Sequence, residues 1–342
     1  MKALAIESQT GVDAVKVMDV GEPEVRPGHV KVRVAAAALN HLDLWTVRGQ
    51  LPFKIDFPFA IGADGAGEVV EADPETGVEV GEAVIIDPAL SCGRCRMCRA
   101  GEQSMCDSFE MIGEHRSGTM AEYVVVPAAN VHRYPDHLSV EQAAALGVTA
   151  ITAYRMLFSR GRLQPGEDVL ITGIGGGLAL SALQLARPVA GRIYVTSSSS
   201  EKLRRAAALG ADEGIDYTTE DVGKAIRRLT GKKGVDLVID SAGGDTLDAS
   251  MRSLRPGGRL VIAGATAGAE SAINVRRLFW NQLEIIGSTM GSSDDVASML
   301  RAVGGAKLEP IIDRVYDLAD GPEAVQRLAS GEQFGKLVVR IG

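Results

Sequence analysis

The sequence predicts an α/β protein in which a parallel-sheet domain is inserted into a β-rich domain built from both chain ends. Three observations predict it. Residues 168–217 read as strand, glycine turn, helix and strand. From about 146 to 290, apolar strands alternate with helical spacing. Valine-rich, turn-punctuated segments fill the first 125 residues and return near the C-terminus. The expected boundaries are 1–145 with 291–342 for the β-rich domain and 146–290 for the insert. A chain of 342 residues is long enough for two cores.

Taken in order, the first part has strand-like runs at 30–35, 67–71, 83–86 and 123–126. Breaks fall at Gly21-Glu22-Pro23, Pro27-Gly28, Pro58 and Pro74, as in an antiparallel, barrel-like domain. Residues 42–48 have room for one or two helical turns. The insert offers strands at 168–172, 192–196, 236–240, 259–263 and 283–287. Helices are expected at 200–209, 220–229 and 246–254, the last closed by Pro256-Gly257-Gly258. The tail returns to strands at 311–315 and 336–341 around a helix at 322–329.

Composition narrows the function classes. Apolar residues are 46% and charged residues 23%, as in a soluble globular protein. The net charge of −8 disfavours binding to phosphate backbones, so no nucleic-acid partner is expected. No apolar run approaches the roughly 20 residues that span a bilayer, so no membrane partner is expected. The N-terminus MKALAIESQTG lacks the features of a signal peptide. A cytoplasmic enzyme is the expectation.

The glycine turn suggests what such an enzyme would bind. Gly173, Gly175, Gly176 and Gly177 follow a β-rich run directly, Leu178 comes next as an expected cofactor contact, and helical apolar spacing runs from Leu180 to Arg187. Small residues there let backbone N–H groups and a helix N-terminus close on a pyrophosphate. The expected ligand is a dinucleotide.

A second motif lies at 91–106, where Cys92-x2-Cys95-x2-Cys98-x7-Cys106 gathers all four cysteines of the chain. Four thiolates in one loop suit tetrahedral Zn²⁺ and leave no position for substrate, which is a structural site. Arg94, Arg96 and Arg99 lie alongside to offset its charge. A redox dithiol and an iron–sulfur cluster are the competing readings.

With the cysteine lobe, the GADGAGEV stretch at 62–69, the GVTAITAY stretch at 147–154 and the glycine turn, the chain resembles the medium-chain dehydrogenase/reductase superfamily over essentially its whole length. The resemblance implies a GroES-like catalytic domain, a Rossmann-type domain and an active site in the cleft between them. It also implies one structural zinc per chain and a homodimer or homotetramer. The superfamily contains zinc-dependent alcohol dehydrogenases and zinc-free quinone and enone reductases. The zinc branch carries a cysteine, then a hydroxyl and an aspartate, where this chain has Asn40-His41-Leu42-Asp43. It carries Gly-His-Glu where this chain has Gly62-Ala63-Asp64, and its third ligand falls near Val148. All three ligands of a catalytic zinc are therefore missing.

The chain looks closer to the zinc-free quinone oxidoreductase branch. There Asn40 would bind the nicotinamide side or the substrate carbonyl, Asp43 would fix the loop, and Trp45 would line the pocket. His41 would donate a proton or contact a phosphate. Asn40 as a turn cap, Trp45 as core and His41 as an ordinary surface or core side chain remain open alternatives. The same choice holds for Trp45 with Phe53, Phe57 and Phe59, which form either an apolar substrate wall or a packing cluster.

For the cofactor, NAD-specific units place an acid at the end of the second strand, where this chain has Ser197-Ser198. The resemblance places Lys202 and Tyr217 beside the adenosine phosphate, so NADPH is expected. Ser198 with Glu201 also reads as a capping box for the next helix. Thr152, Ser241, Ala242, Gly264, Ala265, Thr289 and Lys336 complete the expected cofactor contacts, with Lys336 or Arg340 at the phosphates. The expected function is an NADPH-dependent reductase of small molecules (a quinone, an enone or an aldehyde). The alternatives are a zinc alcohol dehydrogenase with an atypical site from His41, Asp43 and Asp64, and a non-catalytic NADPH-binding protein.

Overall fold

The computed structural model describes residues 1–342, which divide into two compact units, 1–149 with 291–342, and 150–290. In the first unit, strand His29–Ala38 is the centre of a seven-stranded sheet. Its order is Val131–Arg133, Ala83–Ile86, Asp64–Ala72, His29–Ala38, Lys336–Arg340, Ile312–Asp317, with Tyr123–Pro127 also paired to the central strand. Alternation explains the central strand. Val30, Val32 and Val34 point into a core shared with Val69, Val84, Ile86 and Val126, each burial stabilising by about 1.5–3 kcal/mol. The tail joins here: Val338 pairs antiparallel with Ala38, and Leu39 N–H donates to Leu337 O at 2.9 Å. That pairing brings residue 336 beside residue 40. The unit is not wholly antiparallel, because Ile312–Asp317 runs parallel to Lys336–Arg340.

The second unit is a six-stranded sheet in the order Glu213–Asp216, Ile193–Ser197, Val169–Ile171, Val235–Asp240, Leu254–Ile262, Glu284–Gly287. Every pairing is parallel. Numbered along the chain, the spatial order is 3-2-1-4-5-6, the doubly wound arrangement whose ligands bind at the carboxyl edge of the sheet, where the order reverses. The reversal lies between Val169–Ile171 and Val235–Asp240. Pro256-Gly257-Gly258 lies inside strand Leu254–Ile262 rather than beyond a helix, beside a register shift in that pairing. No helix is long and apolar enough to cross a membrane.

Candidate functional site

Three of the residues singled out around the missing zinc ligands meet in the first unit. Asn40 leaves strand His29–Ala38 with extended backbone and starts helix His41–Val47. Asp43, at the third helical position, accepts Asn40 N–H at 2.7 Å and Gly62 N–H at 2.9 Å, tying the two loops together. Burial pushes its carboxyl up to about 7; the two N–H donors pull it down, Asp64 raises it and Lys336 lowers it. Asp64, fully buried, opens strand Asp64–Ala72. Its Oδ1 accepts Val148 N–H at 2.6 Å, and its carbonyl accepts the Thr119 hydroxyl at 2.7 Å. A Cβ on Gly147 would lie 2.1 Å from that Oδ1, so only glycine permits the seating.

Lys336 completes the group. Its ammonium donates to Asn40 Oδ1 at 2.6 Å and to Asp64 Oδ2 at 2.9 Å. The lysine and the asparagine are both buried. The ion pair of Lys336 with Asp64 persists in the interior only because both charges are matched and hydrogen-bonded. A cation of the chain itself thus lies against Asn40 and Asp64. Asp43 and Asp64 give their oxygens to N–H donors and to Lys336, so with His41 they do not fit a zinc-binding set.

The surrounding side chains are dispersed. His41 is exposed, with its ring edge-on to half-buried Trp45, the centroids 5.4 Å apart. Phe53 stacks on His115 at 4.1 Å. Phe57 is exposed and Phe59 belongs to the barrel core. The aromatic wall expected from Trp45 and these three rings is therefore not one surface: pairing with Lys2–Ile6 draws Phe59 inward.

In the second unit the glycine turn links strand Val169–Ile171 to helix Gly177–Ala186. Gly173 and Gly175 adopt φ of 66° and 124°, conformations that glycine reaches without strain. Gly173 and Ile174 N–H groups bond Thr196 on the next strand, at 3.1 and 2.7 Å. No side chain caps the helix at Gly176, and a Cβ on Gly173 or Gly176 would meet open space. Leu178 lies in the first turn. An uncapped helix N-terminus behind an open glycine ridge fits a dinucleotide pyrophosphate.

Around this turn, Lys202 lies close enough that a Cβ on Gly175 would be 2.7 Å from its Cδ. Ser197 is buried, Ser198 exposed, and Tyr217 half exposed. The helix cap is Ser199, whose hydroxyl accepts Lys202 N–H at 3.3 Å. This moves the cap expected at Ser198 by one residue and puts Glu201 out of reach for a capping box.

Ser241, Ala242, Gly264, Ala265 and Thr289 follow the ends of the next three strands. Thr152 is buried and donates to Met290 Sδ at 3.7 Å. The Ser288 hydroxyl is buried without a partner, an open polar position at the same strand end. Asp240, not singled out in the sequence, organises the reversal point. Its carboxylate accepts Thr172, Thr246 and Ser250 hydroxyls and the N–H groups of Ala242 and Gly243, at 2.8–3.2 Å. The signal available was a buried aspartate followed by hydroxyls and glycines.

The four cysteines are free thiols whose sulfurs lie within 4.8 Å of one another. Cys92–Cys98, Cys95–Cys98 and Cys95–Cys106 are separated by 4.0, 3.5 and 4.0 Å. A tetrahedron with Zn–S of about 2.3 Å has edges of about 3.8 Å, so the set fits structural zinc. N–H groups of Cys92, Cys95, Cys98 and Ser108 donate to these sulfurs at 3.3–3.4 Å. Two of the three arginines turn elsewhere: Arg99 to the Arg94 carbonyl and Arg96 to Met97 sulfur. Backbone N–H dipoles meet the sulfurs.

Comparison with known proteins agrees with both units. Residues 26–136 match the family model described as alcohol dehydrogenase GroES-like domain, and residues 177–304 match zinc-binding dehydrogenase. An NAD-dependent alcohol dehydrogenase of Sulfolobus acidocaldarius is 30% identical over 341 residues, covering 96% of this chain and 97% of that protein. A solved NAD-dependent alcohol dehydrogenase is 42% identical with a TM-score of 0.95, covering all of both chains. A crotonyl-CoA carboxylase/reductase in complex with NADP is 25% identical with a TM-score of 0.93, covering 99% of this chain and 94% of that one. With a parallel nucleotide-fold sheet, a GroES-like unit and a four-cysteine lobe in one chain, this protein belongs to the medium-chain dehydrogenase/reductase superfamily and is an oxidoreductase of that family.

Proposed function

We propose that the chain reduces a carbonyl-conjugated double bond or a quinone with NADPH, without a catalytic metal. The observation that carries this reading is the Lys336 ammonium, held by Asn40 and Asp64 beside the positions where the zinc branch has its ligands. Bound NADPH would supply the hydride. When it reaches the β-carbon, the alkene electron pair moves onto the carbonyl oxygen, and water protonates the α-carbon. The protein must then hold a growing negative charge on oxygen. Hydrogen-bond donors do this without metal, each contributing about 3–4 kcal/mol when well placed. Asn40 Nδ2 is the candidate donor, and Asp43 fixes the loop that carries it. For the cofactor, Ser197 in place of an acid leaves a 2′-phosphate unopposed, with Lys202 and Tyr217 to receive it.

The names of the relatives favour a second reading, an NAD-dependent alcohol dehydrogenase. Initial rates separate the two. Purified protein is assayed with NADPH and NADH against simple enones and quinones, and with NADP⁺ and NAD⁺ against primary and secondary alcohols. Our reading expects enone or quinone turnover with NADPH. Alcohol oxidation with NAD⁺ alone, lost on chelation, would replace it with the second, and any turnover excludes a purely cofactor-binding protein. A homo-oligomer is part of the proposal: Val275, Phe279 and Trp280 are 64%, 63% and 77% exposed on a helix of the second unit, which is unfavourable unless covered. The helix precedes strand Glu284–Gly287 at the sheet edge.

A further inference from the structure

The carboxamide of Asn40 has an accepting end and a donating end, and Lys336 fixes which is which. An ammonium has three protons and no lone pair, so at 2.6 Å it can only donate to Oδ1. The lysine is itself held at 2.9 Å by Asp64. Asp64 is held in turn by Val148 N–H, against a glycine that leaves the carboxylate no spare room. The order of fixation runs Gly147-Val148, Asp64, Lys336, Asn40. The amide nitrogen is left with a 3.4 Å contact to the Ala38 carbonyl, beyond the usual 2.7–3.2 Å range of N–H···O bonds. A cation on the oxygen also draws electrons from the amide and strengthens its N–H as a donor.

We propose that Lys336 is a positioning residue. It locks and polarises Asn40 so that Nδ2 offers an N–H to a ligand carbonyl oxygen that gains negative charge, which selects neutral carbonyl-bearing acceptors. The inference rests on the reductase reading above and deepens it.

The test uses the full chain as Asn40→Ala, Lys336→Arg, the paired variant Lys336→Met/Asp64→Asn, and the paired variant with Asn40→Ala added. The pair removes both charges together, since Lys336→Met alone leaves a buried carboxylate unmatched. With NADPH and an enone, Asn40→Ala is expected to lower kcat roughly 10²–10³-fold and leave KM for NADPH unchanged. The paired variant is expected to lose a similar factor, and adding Asn40→Ala to it to lose less than about threefold more, because both act through one donor. Lys336→Arg, which keeps the cation, is expected to retain most of the rate. A paired variant within about threefold of wild type, or losses that multiply, would overturn the proposal.

A substrate-free readout separates this from failure of the reductase reading. In amide NMR, the Asn40 side-chain protons, assigned by their loss in Asn40→Ala, should be shifted downfield in wild type. They should return to ordinary positions in the paired variant. Unchanged resonances in the paired variant overturn the positioning role even if no enone turns over. A shift without any enone turnover upholds the positioning and rejects only the reductase reading.

Discussion

At the scale of residues, Asp43 makes a pH prediction with an unusual sign. Burial raises its folded carboxyl to about 7 from the ordinary 3.8. Between those values the folded state holds a proton that the unfolded state has released, so this group's contribution to stability falls as pH rises from about 4 to 7. The ceiling is about 4 kcal/mol across that window, at about 1.4 kcal/mol per pH unit. Urea denaturation of wild type and Asp43→Asn at pH 4.5 and 7 should show the variant gaining relative stability at the higher pH. A second prediction concerns Gly147. Gly147→Ala should destabilise by about 3 kcal/mol or more, by forcing Asp64 off Val148 and Lys336; a denaturation midpoint equal to wild type would refute the packing. Asn40, Asp43 and Asp64 were legible because residue types at motif positions can be compared directly. The partner of Asp64 was not. Lys336 lies 272 residues away, and one sequence does not say which tail strand pairs beside residue 40. The sequence offered Lys336 to a phosphate, whereas its ammonium lies against Asn40 and Asp64.

At the scale of elements, strands with β-branched runs were legible, and those specified by pairing were not. Strand Glu213–Asp216 has the sequence EGID, with one good strand former, and becomes a strand by pairing with Ile193–Ser197. Helix Ser293–Ala306 was also missed, although Ser292 and Asp295 form a capping box at its start. The run of four serines at 197–200 left the cap ambiguous by one residue. The end of strand Ile193–Ser197 carries the cofactor prediction. Lys202→Ala should raise KM for NADPH about tenfold and barely change KM for NADH, and Ser197→Asp should move preference toward NADH. Equal effects on both cofactors would mean that neither residue meets a 2′-phosphate. The cysteine lobe has a reach beyond itself: Gln103 Oε1 accepts Ser293 N–H at 3.3 Å, at the start of helix Ser293–Ala306. Loss of zinc should therefore loosen that helix start, seen as faster hydrogen exchange at 291–296 in Cys95→Ser.

At the scale of the whole molecule, the insertion of one domain into another was legible from the change of pattern near 146 and its return in the tail. The division of labour follows from it: the insert supplies the glycine turn, and the two chain ends together supply Asn40, Asp64 and Lys336. Neither end holds the buried charge group alone. The exposed Phe279 and Trp280 belong to this scale too. Trp280→Glu should shift sedimentation toward the monomer, and an unchanged sedimentation coefficient would remove that helix from any interface. In the proposed reaction a lysine, rather than a metal, supplies the cation. Zinc per chain, measured on dialysed wild type and Cys95→Ser, tests it most directly. One zinc falling to none is the predicted result. Two falling to one would mean that a second metal is held outside the cysteine lobe, and would contradict the account.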